Sequence, residues 1–243
     1  MVAQALHKTA VVIPALNESA VIAGVIKRIS KLGVGEIILV DDASTDTTCL
    51  IAEAEGATVI KLFEPLGAWG ATQTGLRYAV RKGFRFVVTL DADGQHNPDD
   101  IPRLLDPVAT GCANVVIGSC TERGSRMRKV AWRWIKNASG VRLEDITSGF
   151  RVYDRLALRR VASWKATLLD YQDIGVILLL QRTGMVIQDV GVTMTERVNG
   201  KSRIFHNWGI VTYYMAHTLL LGFCKRIEIR RNPSPVVISR VKP

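Results

Sequence analysis

The sequence predicts an α/β fold, a mostly parallel sheet with helices on both faces. Three observations predict it. Short apolar, β-branched runs alternate with stretches of helical periodicity over residues 10–118. The spacing between runs leaves room for right-handed crossover helices, which parallel pairing requires. The polar motifs follow the strands directly, and open parallel sheets bind ligands beyond their carboxyl ends.

The elements follow in order. AVVIP (10–14) is a strand ending at Pro14. From about Glu18 to Leu32, the residues Val21, Ile22, Val25, Ile26 and Ile29 recur at helical spacing. EIILV (36–40) is the second strand, followed by a helix near Thr47 to Glu55 and the strand TVIKL (58–62). A helix from about Gly70 to Lys82 leads to FRFVVTL (84–90), the fourth strand. Asn97 reads as an N-cap, Pro98 as a first helical residue, and Asp99 and Asp100 as a first turn that complements the helix dipole. VVIG (115–118) closes the series. Beyond it, Ser119 to Arg133 reads as a basic loop, 173–183 as a helix and 186–192 as a strand.

The 243 residues suffice for one large domain, and 48% hydrophobic content suffices for its core. A net charge of +10 points to an acidic partner: nucleic acid, anionic lipid or a phosphorylated substrate. No helix-turn-helix, zinc-finger or RNP-type pattern occurs, which argues against nucleic acid. The four cysteines, without C-x-x-C spacing, fit neither a zinc site nor a disulfide framework and suit a reducing compartment. MVAQALHKTA lacks the apolar core of a signal peptide. The tract from about Trp208 to Cys224 is too short and mixed for a membrane span.

The chemistry concentrates in VTLDADGQHN (88–97). In an extended segment Asp91 and Asp93 point to one side. Two close carboxylates repel unless a cation neutralises them. Oxygen ligands at this density suit Mg²⁺ or Mn²⁺, which complete their shells with water and substrate phosphates. Gln95 can add a neutral oxygen. DADG is equally compatible with a simple turn; Glu18 and Asp42 at neighbouring strand ends favour a site. In DDAST (41–45) one residue can cap the next helix, and Asp42 could accept from nucleobase N–H groups. Asn17 and Glu18 are either a helix start or ligands. Gly67, Gly70 and Gly75 fit neither G-x-G-x-x-G nor a Walker A box, so loop geometry is the safer reading. His96 could be a general base, but a lone loop histidine is more often a hydrogen-bonding residue.

VVIPALNES, ILVDDASTDTT, LDADGQHNPDDIPRLL, DITSGFRVYDR and ERVNGKSR occur in this order. Together, over roughly residues 9–205, they resemble family 2 glycosyltransferases of the GT-A (Rossmann-like) fold. The nearest branch is the dolichol-phosphate mannose synthase-like, polyprenyl-phosphate glycosyltransferases. The resemblance implies inverting, metal-dependent transfer of a hexose from a GDP- or UDP-sugar to a polyprenyl or dolichyl phosphate. It places Pro14, Asn17, Glu18, Val40 and Asp42 around the nucleoside, and Asp91 and Ala92 against the nucleotide-sugar. It gives Asp93 and Gln95 to the metal, and Arg197 and Lys201 to the diphosphate or acceptor phosphate. Asp145, Ser148, Gly149, Phe150 and Arg151 fall on the acceptor side. Asp145 would orient the acceptor or, for a hydroxyl acceptor, take its proton; a turn residue before SGFR is the alternative. Cys120 stands where the family usually has Arg, so Arg123, Arg126 or Arg128 could take over a phosphate contact. Leu16 replaces a usual Tyr, and Pro65 a usual Asn.

Residues 1–206 are expected to form the catalytic domain and 207–243 an amphipathic, membrane-interfacial helix with a basic tail. That would hold the enzyme peripherally on an anionic membrane, at its cytoplasmic face, where a small membrane-protein partner is conceivable. Transfer to a glycan hydroxyl or cell-envelope polysaccharide is the competing activity. A nucleotidyltransferase lacks its expected Gly-rich loop here, and a non-catalytic scaffold would not need both Asp91 and Asp93.

Overall fold

The structure, a computed structural model, describes residues 2–120, 143–145, 147–169 and 174–195. Among these, one sheet contains β1 (Thr9–Ala15), β2 (Glu36–Asp41), β3 (Thr58–Lys61), β4 (Phe86–Thr89), β5 (Val115–Ser119), β6 (Arg151–Asp154) and β7 (Ile187–Gly191). Their order is β3-β2-β1-β4-β6-β5-β7. The pairs β1–β2, β1–β4, β2–β3 and β5–β7 are parallel, whereas β6 runs antiparallel to both β4 and β5.

The central strands are apolar on both faces because helices cover both. Val11, Ile13 and Ala15 of β1 and Ile37 and Leu39 of β2 enter one core. Ala10, Val12, Ile38 and Val40 enter the other. The first core is covered by α1 (Val2–Leu6), α2 (Ile22–Ser30), α3 (Thr48–Ala54) and α5 (Ile101–Ala109). The second is covered by α4 (Gly67–Lys82) and the helices Arg155–Val161, Trp164–Thr167 and Ile174–Gln181. This double coverage is why β1 and β2 read as continuous apolar runs.

The expected α/β fold is present, with three local corrections. The strands continue past VVIG: RVYD of the SGFR motif forms β6, unexpected, and inserts antiparallel between β4 and β5, while the strand expected at 186–192 is β7, beyond β5. RVYD begins and ends on a charged residue, so it is not the apolar run that announced the other strands. The helix expected from about Gly70 to Lys82 is α4, but it starts at Gly67, so the three glycines read for loop geometry all lie inside it. A methyl at Gly70 would meet Leu66 Cβ at 2.5 Å, and one at Gly75 would collide with Val12 of β1 and meet Val40 Cγ2 at 3.0 Å. Gly75 therefore serves close packing of helix on sheet, and Gly70 makes room for Leu66 at the start of its own helix. Finally α2 starts at Ile22 rather than near Glu18, because the intervening residues bind the loop after β2. The Asn97 cap is as expected: its Oδ1 accepts from the Asp99 N–H at 3.1 Å, and Pro98 opens a 3₁₀ turn.

Residues 121–142, including Arg123, Arg126 and Arg128, lie outside the described residues, as do Arg197, Lys201 and the expected helix in 207–243. Among the described residues no helix is long and apolar enough to cross a membrane.

Candidate active site at the β1–β4 switch

The chain runs from β1 outward to β2 and β3, then returns to place β4 on the other side of β1. Strand order therefore reverses between β1 and β4, and the crevice beyond their carboxyl ends is the natural ligand site. Leu16 to Glu18 enter it from β1, Asp42 to Ser44 from β2, and Asp91 to Gln95 from β4.

Two loops of this edge are clasped together. Asn17 adopts φ 53° and Ala43 φ 63°, both left-handed. The Asn17 N–H donates to Ser44 Oγ at 2.8 Å, while its Oδ1 accepts from the Thr45 N–H at 2.8 Å. The Glu18 N–H donates to Thr48 Oγ1 at 2.9 Å, and the Ser19 N–H to Asp46 Oδ2 at 3.2 Å. Burial pushes the Asp46 carboxyl up, but hydrogen bonds from Thr48 and Ser19 outweigh it and hold the pKa at about 2. Asn17 is thus a joint between two loops.

Asp42 is buried at the same edge. Its Oδ1 accepts from the Leu66 N–H at 2.6 Å and its Oδ2 from the Gly67 N–H at 2.9 Å. The carboxylate fixes the N-terminus of α4 and is compensated by that helix end. A carboxylate accepts about four hydrogen bonds, which leaves room for a ligand donor. Asp41 is fully buried and accepts from the Ser44 N–H at 3.1 Å. Burial, then the hydrogen bond and charge of Asp41, push the neighbouring Cys49 thiol up to about 11, so it stays protonated and unreactive. Pro14 pairs with Val40 across β1–β2. The Val40 side chain lies in the α4-side core and Ala92 in the opposite core, so only their backbones could reach a ligand.

The DADGQH turn is held from three sides. Gly94 takes φ 73°, and the Asp93 Oδ1 accepts from the Gln95 N–H at 3.1 Å. His96 is buried, and its Nδ1 accepts from the Asp91 N–H at 3.1 Å. An Nδ1 that accepts carries no proton, so the hydrogen sits on Nε2. This ring is a hydrogen-bonding residue fixing the turn, not a solvent-facing base. It lies 5.2 Å from the Phe150 ring, between centroids. The chain after β7 forms the third side: His96 bridges Met194, and Thr195 Oγ1 donates to the Gly94 carbonyl at 2.9 Å.

SGFR meets this turn directly. A methyl on Gly149 would sit 2.7 Å from Asp91 Oδ1 and 3.0 Å from Oδ2. Thr89 Oγ1 donates to the Gly149 carbonyl at 2.7 Å, tying the segment to the end of β4. Ser148 Oγ accepts from the Phe150 N–H at 3.2 Å, and the fully buried Arg151 donates through Nε to the Ser148 carbonyl at 2.8 Å. Asp145 is buried, and its Oδ1 accepts from the N–H of Thr147 at 3.0 Å and its hydroxyl at 2.9 Å. That is turn geometry. Cys120, after β5, is buried.

Among the described residues no group of three or more His, Cys, Asp or Glu side chains could hold a metal by itself. The oxygen set of Asp91, Asp93 and Gln95 instead fits a hard divalent ion that draws its remaining ligands from water and phosphate.

A doubly covered sheet with D-x-D at its switch point and SGFR packed against it defines a glycosyltransferase of the GT-A type. The chain belongs to glycosyl transferase family 2, whose model matches residues 10–166. It is 30% identical over 209 residues to an undecaprenyl-phosphate mannosyltransferase of Micrococcus luteus, covering 79% of this chain and 84% of that one. It is also 30% identical over 216 residues to a polyprenol monophosphomannose synthase of Mycolicibacterium smegmatis, covering 82% and 81%. Its fold superposes at TM-score 0.68 on glucosyl-3-phosphoglycerate synthase from Mycobacterium tuberculosis in complex with Mn²⁺ and UDP-glucose. That pair is 26% identical, covering 92% of this chain and 83% of that one.

The expected residues Asn17, Glu18, Asp42, Asp91, Asp93 and Gln95 are brought to one edge, with Gly149 against Asp91. His96 is the hydrogen-bonding residue the sequence favoured, whereas the structural work of Thr195 was missed. The alternation VTM-T after β7 was the available signal for an extension that reaches the turn.

Proposed function

We propose that this glycosyltransferase moves a hexose, with inversion, from a nucleoside-diphosphate sugar to the phosphate of a polyprenyl or dolichyl carrier. The observation that carries the reading is the contact of Gly149 with the Asp91 carboxylate, which joins the acceptor-side motif to the donor-side turn. The two relatives whose names specify undecaprenyl phosphate and polyprenol monophosphomannose support the acceptor class.

In this reading Pro14, Asn17, Glu18, Val40 and Asp42 line the nucleoside pocket. Asp91 and Ala92 meet the nucleotide-sugar, and Asp93 and Gln95 ligate Mg²⁺ or Mn²⁺. When bound, the ion neutralises charge on the departing diphosphate. Arg197 and Lys201 add positive charge to the same phosphates. The anomeric C–O bond to the diphosphate breaks, its electron pair leaving with the nucleotide, while an acceptor phosphate oxygen forms the new bond from the opposite face. That oxygen is already anionic, so no strong base is needed. The engagement of Asp145 with Thr147 suits an orienting role better than proton abstraction.

A lipid acceptor supports a peripheral position on an anionic membrane, read here at its cytoplasmic face with 207–243 as an added interfacial anchor. The test is transfer from labelled GDP- and UDP-hexoses to a short-chain, water-soluble polyprenyl phosphate or to a glycan acceptor, with Mn²⁺ or with chelator. The expected product is the polyprenyl-phosphate hexose, formed only with metal. Transfer to the glycan alone, or full transfer in chelator, overturns the reading.

A further inference from the structure

Six large hydrophobic side chains are exposed among the described residues: Leu50, Phe63, Leu66, Leu156, Trp164 and Leu168. Single exposed apolar residues are ordinary and need no explanation. Their distribution is the informative point. Phe63 and Leu66 lie on the β3–α4 loop, at the edge where Leu62 bonds the Asp41 carbonyl and Asp42 grips Leu66. That is the active-site edge.

Trp164 and Leu168 belong to a segment packed along the same helix, α4, between its first turn at Trp69 and Arg77. Trp69, in the first turn of α4, donates through Nε1 to the Ala166 carbonyl at 3.0 Å. Further along α4, Gln73 Nε2 donates to the Val161 carbonyl, and Arg77 Nε donates to the Ala162 carbonyl at 3.2 Å. The helices Arg155–Val161 and Trp164–Thr167 therefore both turn their inner sides to α4. Ala157, Leu158, Val161 and Ala166 are buried there. Their outer residues, Arg155, Leu156, Arg159, Arg160, Trp164, Lys165 and Leu168, are exposed.

The charge on this outer layer has one sign. Residues 155–168 contain Arg155, Arg159, Arg160 and Lys165 and no Asp or Glu. The Lys165 ammonium lies 5.9 Å from the Trp164 ring centroid. The end of β3 adds exposed Lys61, and the β3–α4 loop one acid, Glu64. Aromatic and aliphatic side chains ringed by cations are the composition that seats on anionic headgroups with the apolar tips at the acyl boundary.

We propose that Phe63, Leu66, Trp164 and Leu168 form a membrane-docking rim that sets the mouth of the active site on an anionic lipid surface. This deepens the lipid-phosphate reading above, and rests on it only for why docking serves the reaction. The rim lies wholly within the first 206 residues and is separate from the anchor expected in 207–243.

The full chain is mixed with vesicles of phosphatidylglycerol and phosphatidylcholine, or of phosphatidylcholine alone, and sedimented. Binding is expected to the anionic vesicles, and the Trp164→Ser/Leu168→Ser variant is expected to bind at least tenfold more weakly. Its melting temperature should be unchanged, because both side chains are already in water. Lipid brominated along the acyl chain is expected to quench wild-type tryptophan fluorescence and to quench Trp164→Phe measurably less. That comparison isolates Trp164 from the other four of the five tryptophans. Arg159→Glu/Arg160→Glu should weaken binding to anionic vesicles selectively. Equal sedimentation of the variants, identical quenching in Trp164→Phe, or equal binding to neutral vesicles overturns the proposal. So does a wild-type dimer that Trp164→Ser/Leu168→Ser converts to monomer, which would give the rim to a second copy. Transfer to the water-soluble acceptor is read in parallel: its loss in wild type counts against the proposed function, while the vesicle result judges the rim alone.

Discussion

Replacing Gly149 with Ala tests the join between SGFR and the D-x-D turn most directly. The added methyl would lie 2.7 Å from Asp91 Oδ1, 3.0 Å from Oδ2 and 3.2 Å from Cγ. Carbon–oxygen contact needs well over 3 Å, so one side must give by roughly 0.5–1 Å. The Gly149 backbone is held by Thr89 at 2.7 Å and leads directly into β6, paired on both sides. The Asp91 side chain is half exposed and can swing outward. The carboxylate therefore moves, and the fold does not.

A misplacement of about 1 Å at reacting groups costs on the order of 100-fold in rate, or about 2.7 kcal/mol of barrier. The expected outcome for Gly149→Ala is a kcat about 100-fold below wild type, with a melting temperature within a few degrees of it. Donor turnover in the short-chain polyprenyl-phosphate assay, alongside thermal unfolding, reads both. Wild-type kcat would show that the Asp91 position does not matter to the reaction. A destabilisation above about 2 kcal/mol would show that the backbone yields instead.

Three further outcomes are expected. Asp93→Ala should abolish metal-dependent transfer and leave the circular dichroism spectrum intact; retained activity at saturating Mn²⁺ would remove Asp93 from the ion. Ala43→Gly should stabilise the protein by about 1 kcal/mol, because Ala43 sits at φ 63° and left-handed backbone costs a non-glycine residue about 1–2 kcal/mol; an unchanged or lower denaturant midpoint would contradict this. Asp46 has a folded pKa lowered to about 2 from an ordinary 3.8, so its contribution is complete above about pH 4 and is lost as pH falls through about 2. Asp46→Asn should therefore lower stability at pH 7 by under about 1 kcal/mol, given the exposed site. The gap to wild type should close near pH 2, and a gap independent of pH would refute the ionic origin.

The parallel half of the fold was legible because its signals are local. Each strand from β1 to β5 except β3 is a dense apolar run, and each crossover shows helical spacing. The site edge was legible for the same reason, since its carboxylates follow strands directly. What escaped depends on partners distant in sequence. The clasp between Asn17 and Thr45, the grip of Asp42 on α4 and the Thr195–Gly94 bond each join segments that no periodicity links. Gly70 and Gly75 were read as loop formers because composition does not separate a glycine needed for a turn from one needed for contact. Only the approach of Leu66 and Val12 separates them.

The antiparallel strand β6 explains why the D-x-D turn and SGFR meet at all. In a parallel sheet every strand begins at the edge opposite the ligand. A parallel β6 would therefore have started SGFR some four residues of strand, about 13 Å, away from D-x-D. Running the other way, β6 starts where β4 ends: Thr89 pairs with Arg151 and Phe86 with Asp154. The reversal puts Ser148 to Phe150 beyond the carboxyl end of β4, with Gly149 on Asp91 and Phe150 against His96. His96 then links the turn to Met194 on the chain leaving β7. Three segments distant in sequence are thereby fixed to one another: Gly149, lacking a side chain, lets SGFR close on the turn, and the His96–Met194 bridge ties the turn to the chain leaving β7.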